Sequence, residues 1–353
     1  MTHDRERSEQ RPMTSEPMTY ADAGVEVCAA EENVRRIAGH VRSTHGPAVL
    51  GSFGAFAGLF QFPDLRDPVL VASADNIGTK LQLALQFGRY ESMGRDLVNL
   101  NVNDVLTTGA RPLFFLDYIA VHKLEHDVVE QLVSGMAAAC RENGCALLGG
   151  ETAQLPDLYA PGHSDLAGFV VGVIERDRLI DGSAVRPGDR VWALPSTGLH
   201  TNGYTLARRI VAQARLDLGA DPGGLGQPLG DALLAPHVSY MPVLQPLLDR
   251  GGVKAVAHIT GGGLPGNLPR VLPSSVSAEM EWGSWPVPPI FRVLQETGRV
   301  RFAEMLRVFN LGIGLVLVLD ADLDPSAMCP AALPVGRITE AQSQRVVLRN
   351  MPA

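Results

Sequence analysis

Across residues 69–176 the hydrophobic pattern switches repeatedly between strand-like and helix-like spacing, and that alternation restricts the fold more than any other feature. Residues 69–72 read as a strand. Residues 93–108 read as a helix closed by Gly109 and Pro112, and 113–121 as a second strand. A helix over 124–143 capped by Gly144 follows, then strands over 145–148 and 166–174. The second helix carries a stripe through Val129, Leu132, Val133, Met136 and Cys140 that has to be buried. Elements in this order pack as layers, so the expected class is α/β (α+β). An aliphatic composition, 46% hydrophobic but only 6% aromatic, with 37 Gly and 25 Pro, excludes a coiled coil or a disulfide scaffold.

At 353 residues the chain exceeds what one hydrophobic core organises, which predicts two domains. The polar stretch 175–189, with Gly182, Pro187 and Gly188, places the boundary so that the domains are 19–174 and 175–353. Residues 1–18 are polar and charged and read as a disordered tail in which Met13 or Met18 is an alternative start. The second half is expected to hold strands over 191–194, 255–259 and 313–319 and a helix from Tyr204. A Gly/Pro-rich loop over 219–230, a helix over 233–248 broken at Pro236 and Pro242, and helices around Phe291 and Ala303 complete it.

A net charge of −8 without any Lys/Arg block excludes a nucleic-acid footprint. The longest apolar stretch, 313–319, falls far short of the roughly 20 residues that span a bilayer, so no membrane role is expected. Cys28, Cys140, Cys145 and Cys329 have no C-x-x-C spacing and no neighbouring histidines, which suggests neither zinc nor a redox pair and fits a reducing cytoplasm.

Chemistry-bearing residues gather at the ends of the predicted strands. Asp75-Asn76-Ile77-Gly78-Thr79-Lys80 combines a carboxylate, a flexible glycine, a hydroxyl and one of only three lysines in the chain. That set suits phosphate and metal, or else is a turn with a solvated lysine. In the following helix Asp96, Asn99 and Asn103 form one stripe with Asp104 at its shoulder, and a polar stripe in a buried helix needs ligands or partners. Asp75 and Asp104 are placed to share Mg²⁺. Gly149-Gly150-Glu151-Thr152 repeats the acid-plus-hydroxyl pattern. The stretch 196–203, with His200 and Asn202, and the stretch 258–263, with His258 and Gly261-Gly262-Gly263, read as backbone N–H nests for an anion. Each histidine has three readings: acid/base, phosphate donor, or a buried imidazole.

Taken in order, the segments 20–25, 75–80, 102–104, 112–118, 149–153, 165–169, 198–204, 258–263 and 309–314 closely resemble the phosphoribosylformylglycinamidine cyclo-ligase family, also called aminoimidazole ribonucleotide synthetase. The resemblance runs from about Tyr20 to the C-terminus. It implies a homodimer whose N-terminal domains pair their strands into a barrel, each closed over by a C-terminal α/β domain. It also implies ATP-dependent ring closure of formylglycinamidine ribonucleotide, with Mg²⁺ and an open question of K⁺. By the same resemblance Asp75 and Asp104 hold Mg²⁺, with Glu151 and Asp96 as further metal groups, and Lys80, with Gly78, Thr79 and Thr152, meets ATP. The 51–58 loop, with Gly54, covers the nucleotide, while His200, Asn202, His258 and Gly261–Gly263 serve the substrate.

The chain departs from the family pattern at Asn76, where glycine is usual and a left-handed backbone is tolerable, and at Gln154, which removes a carboxylate. Selenophosphate synthetase, thiamine-phosphate kinase and formylglycinamidine ribonucleotide synthetase share ATP sites of this kind. Against the first and last stand the lack of an N-terminal reactive Cys and of a glutaminase segment. Against the kinase stand the complete 112–118 and 309–314 motifs. A regulatory, non-enzymatic nucleotide binder predicts lost metal acids, whereas Asp75, Asp104 and Glu151 are all present.

Overall fold

The computed structural model describes residues 27–351, so the 20–25 motif, the 1–18 tail and the alternative starts lie outside the described residues. The first half comprises α1 (Val27–Arg42), β1 (Val49–Leu50), β2 (Leu59–Phe60), β3 (Pro68–Asn76), α2 (Lys80–Phe87), α3 (Tyr90–Leu106), β4 (Arg111–Val121), α4 (His126–Glu142), β5 (Ala146–Gln154) and β6 (Ser164–Glu175). Strands β3-β6-β4-β5 form one sheet in that order, antiparallel except for the parallel pair β4 and β5. Helices α3 and α4 cover one face. They approach closely because Gly94 and Gly135 sit where they cross: a Cβ on Gly135 would lie 1.9 Å from the Glu91 carbonyl, and one on Gly94 2.0 Å from that of Leu132. The other face leaves Leu70 and Phe169 60% and 45% exposed.

The second half comprises β7 (Arg190–Pro195), α5 (Tyr204–Ala214), α6 (Leu229–Leu233), α7 (Met241–Arg250), β8 (Val253–His258), α8 (Gly263–Asn267), β9 (Val276–Glu281), α9 (Pro289–Gly298), α10 (Phe302–Val308), β10 (Ile313–Leu319), β11 (Leu333–Glu340) and β12 (Val346–Arg349). Its sheet runs β12-β9-β11-β7-β10-β8, with only β12 and β9 parallel. Strand β10 is fully buried along its length, as its unbroken apolar run requires of a central strand. One face packs through Trp192, Leu194, Leu315 and Leu317 onto Leu244 and Leu247 of α7. The opposite face packs through Val191, Ala257, Val316 and Ile338 onto Leu264 and Leu268.

Four expectations need correction. Strand β3 extends through Asp75 and Asn76, and β5 through Gly149–Thr152, so these motifs lie within paired strands and not in turns after them. Asn76 keeps an extended backbone; its Oδ1 accepts the Gly78 N–H at 2.9 Å, and Gly78 takes the left-handed conformation, with φ 62°. Pro242 opens α7 instead of breaking a helix, because the second helical position needs no N–H partner. Residues 235–240 form a segment without regular secondary structure between α6 and α7.

Candidate active site

The two halves meet where β3 ends. One cavity of about 460 Å³ lies between Asp75, Asn76, Gly78 and Thr79 on one side and Thr201, Asn202, Tyr204 and Arg209 on the other, with Thr79 Oγ1 3.1 Å from Thr205 Oγ1. A second, of about 520 Å³, shares Asp75 and adds Asp104, His258, Thr260, Asn267 and Arg270. Burial, and after it the charge of Asp104 across the cavity, pushes the Asp75 carboxyl above its usual range. Two carboxylates held against each other in a polar cavity fit a hard divalent cation that keeps some of its waters. Arg209 and Arg270 supply the only guanidinium groups among the residues lining these two cavities. Sequence reading passed over both, because arginines are common in this chain and neither lies in a glycine motif.

Lys80 and Asp96 are not in these cavities. Both are fully buried and paired at 2.5 Å; Lys80 Nζ also donates to Ala235 O at 2.7 Å, and Asp96 Oδ1 accepts the His237 N–H at 2.7 Å. Burial pushes the lysine down and the aspartate up, and each opposes that shift in the other. The rest of the α3 stripe has the same target. Asn99 donates to His237 O, while Asn103 donates to Val238 O and accepts from the Tyr240 N–H. The partners that the stripe needs are therefore the backbone of 235–240, which binds one half of the molecule to the other. Lys80 and Asp96, expected at phosphate and metal, thus contact each other and the 235–240 segment, while Asp75, Gly78 and Thr79 line the first cavity.

His237, which sequence reading missed, lies between the two predicted histidines. His258 Nδ1 stands 2.9 Å from Asp104 Oδ1, and His258 Nε2 3.2 Å from His237 Nε2. The His200 ring stacks on His237 with centroids 4.2 Å apart. All three are buried, and desolvation holds His200 and His237 well below the ordinary imidazole range, hence neutral. His200 takes a left-handed backbone, φ 59°. No local signal links positions 200, 237 and 258; only the fold brings them together.

A third cavity, about 820 Å³, lies over the other edge of the first sheet, lined by Gly54 and its loop, Phe114, Asp117, Tyr118, Glu151, Thr152 and Phe169. Burial, with Glu151 nearby, pushes Asp117 up to about 7. Glu151 does not join Asp75 and Asp104 within the chain. Register aligns Asp75, Gly168, Asp117 and Gly150 across the four strands. Three strand spacings put the two edges about 14 Å apart. Glu151 is also one residue out of phase with Asp75, and so faces the opposite side of the sheet.

Of the glycine triplet, Gly261 borders Asn202, whose Oδ1 would lie 3.2 Å from an added Cβ. Gly263 is required for packing: its φ is 59°, and a Cβ would stand 1.9 Å from the Leu306 carbonyl. Its expected anion role thus has a structural competitor.

A pair of mixed α/β halves with acids, histidines and glycine loops along their junction defines an AIR synthase related protein. Residues 54–174 match the N-terminal domain of that family and 186–349 its C-terminal domain, and the chain belongs to it. Among its relatives are proteins named phosphoribosylformylglycinamidine cyclo-ligase. That of Myxococcus xanthus is 47% identical, with 92% of this chain and 97% of the relative covered. That of Sorangium cellulosum is 50% identical, with 86% and 88% covered. The fold is shared with thiamine-monophosphate kinase from Stenotrophomonas maltophilia, at TM-score 0.65 and 21% identity over 92% of this chain and 97% of that one. It is also shared with the hydrogenase maturation protein HypE in complex with ATP, at TM-score 0.63 and 19% identity over 88% of each chain.

Proposed function

We propose that this enzyme closes formylglycinamidine ribonucleotide to aminoimidazole ribonucleotide, with ATP converted to ADP and phosphate. The observation that carries this reading is the cavity in which the 75–79 strand end meets the 201–209 loop and helix start. Its two walls are motifs far apart in sequence, and the relatives at 47–50% identity bear the cyclo-ligase name. In the reaction the formamide oxygen attacks the γ-phosphorus and ADP departs. The amidine nitrogen then adds to the activated carbon, and phosphate leaves with that oxygen as the ring forms. A poor leaving group becomes a good one, so the protein's task is positioning and charge neutralisation.

Asp75 and Asp104 hold Mg²⁺, which neutralises phosphate charge when bound. Arg209 and Arg270 orient phosphate groups on the ribonucleotide or on the transferred phosphoryl. Asn202 and His258 face the substrate, with Asp104 fixing the His258 ring by accepting its Nδ1 proton. ATP enters as co-substrate, and a fold shared with HypE in complex with ATP supports that choice. Its adenosine lies against Gly54, Thr152 and Asp117 in the 820 Å³ cavity, whose size suits a nucleotide. That cavity opens on the sheet face that leaves Phe169 and Leu70 exposed. A second copy on that face completes a homodimer, closes the open sheet toward a barrel and brings Glu151 to the partner's metal acids. We place the domain boundary at residue 175 and the enzyme in the cytoplasm. Among the described residues no helix is long and apolar enough to cross a membrane.

The test is ADP release with Mg²⁺, in the presence and absence of formylglycinamidine ribonucleotide, with the imidazole product assayed in parallel. One-to-one, substrate-dependent release is the expected result; ADP without product refutes the reading. Asp75→Asn removes charge at constant volume and is expected to cost about 100-fold or more in turnover, near 3 kcal/mol, with the fold unchanged.

A further inference from the structure

We infer that Asn267 is a positioning residue, whose buried carboxamide aims the Arg270 guanidinium at a phosphate group in the cavity lined by Asp75 and Asp104. The inference rests on the cyclo-ligase reading, in which that cavity receives phosphate, and it adds the side chain that orients the arginine. Asn267 ends α8 and is only 3% exposed. Its Nδ2 donates to the Gly263 carbonyl at 2.9 Å and lies 3.2 and 3.3 Å from the carbonyls of Gly261 and Thr260. Carbonyls only accept, so this end of the amide is the nitrogen, and Oδ1 points the other way. There it accepts from Arg270 Nη1 at 3.3 Å. The guanidinium has no other hydrogen bond or ion pair among the described residues, so its remaining N–H groups are open to a ligand.

An amide suits this task where a carboxylate would not. Aspartate at 267 would grip the guanidinium more tightly, but it would cancel its charge and set an oxygen against three carbonyl oxygens. A neutral acceptor restrains the exposed arginine and leaves its full charge for phosphate. The amide is itself fixed by the glycine loop. Gly262, with φ 100°, turns the chain so that the carbonyls of Thr260, Gly261 and Gly263 converge on one nitrogen. Anchored there, Asn267 restricts the rotamers of Arg270 before any ligand arrives, and ordering that otherwise opposes binding is already in place.

The experiment is a double-mutant cycle on the full chain: the parent, Asn267→Ala, Arg270→Ala and the pair. Each is assayed for ADP release dependent on formylglycinamidine ribonucleotide, with Mg²⁺ present and melting temperature measured alongside. A parent without that activity overturns the cyclo-ligase reading and the inference with it; an active parent leaves the cycle to decide Asn267 alone. Asn267→Ala is expected to lower kcat/KM about 10-fold, as for one hydrogen bond to a charged group, but only about 2-fold or less where Arg270 is already alanine. A rise in KM for the ribonucleotide assigns the phosphate to that substrate, and a fall in kcat assigns it to the group in transfer. Equal losses in the two backgrounds, or an unchanged Asn267→Ala enzyme, overturn the inference. Arg270→Lys carries the test if Asn267→Ala does not fold. It keeps the charge but lacks the planar fork that Asn267 orients, so a loss of about 10-fold is expected and full activity overturns the inference.

Discussion

Asp96→Asn is the sharpest test of the clamp between the two halves. The change keeps side-chain volume and an oxygen for the His237 N–H, but removes the charge opposite Lys80, and both groups are at 0% exposure. The ammonium then retains the Ala235 carbonyl at 2.7 Å and the Tyr204 ring, 5.5 Å from its centroid. An uncompensated buried charge costs about 3–5 kcal/mol. At roughly 2–4 °C per kcal/mol for domains of this size, the melting temperature should fall by about 6–20 °C. Lys80→Met strands the carboxylate and should cost a similar amount. Their sum is about 6–10 kcal/mol, yet the double variant Lys80→Met/Asp96→Asn strands no charge and should fall far below it. Urea or thermal denaturation of the four proteins measures the cycle. A melting point for Asp96→Asn within about 1 kcal/mol of the parent, combined with lost turnover, refutes the reasoning and moves the pair from structure to chemistry.

Asp117 gives a pH prediction. Its folded value, pushed up to about 7, lies above its unfolded value of about 3.9. Below about pH 4 both states hold the proton. Between about 4 and 7 the folded state keeps a proton that the unfolded state releases, so this group's contribution to stability declines as pH rises through that window. Thermal denaturation from pH 4.5 to 7.5 should show the decline, and Asp117→Asn should flatten it; equal slopes exclude Asp117. Gly135→Ala should cost about 1–3 kcal/mol or more, since its Cβ lies 1.9 Å from the Glu91 carbonyl. Gly39→Ala in α1, with nothing within 4 Å, should instead gain up to about 1 kcal/mol, which chemical denaturation of the pair reads directly.

What the sequence made legible was whatever a local pattern records. The α3, α4 and β10 runs carry their periods openly, and the Asp75–Thr79 and Gly198–Tyr204 motifs did converge on one cavity. The α3 stripe was legible as a demand for partners, but not as to which. Its carboxylate and amides read equally as ligands for an ion or for backbone, and only the return of 235–240 decides for backbone. Strands β9, β11 and β12 and helix α1 went unread. Their apolar residues are spaced among polar ones, and their pairing depends on strands distant in the chain. His237 was invisible for the same reason: an isolated imidazole in a loop acquires chemistry only from its neighbours in space.

Glu151 is the acid on which the proposed pairing of two copies rests most directly. Strand polarity and register put it at the far edge and on the opposite face from Asp75, and no rearrangement of side chains crosses about 14 Å of paired sheet. A slip of one residue in β5 would bring its face into phase, but it would also turn Leu147, buried beside Phe115, out of the core. The register is therefore pinned by the core, and the acid's position with it. Glu151 instead shares its face with Tyr118, Leu116 and Phe169 along a cavity whose other walls are helix α1, through Asn33, Val34 and Ile37, and the 52–58 loop. An acid held by the core on this face, away from Asp75 and Asp104, is what the proposed pairing of two copies would bring to the metal acids.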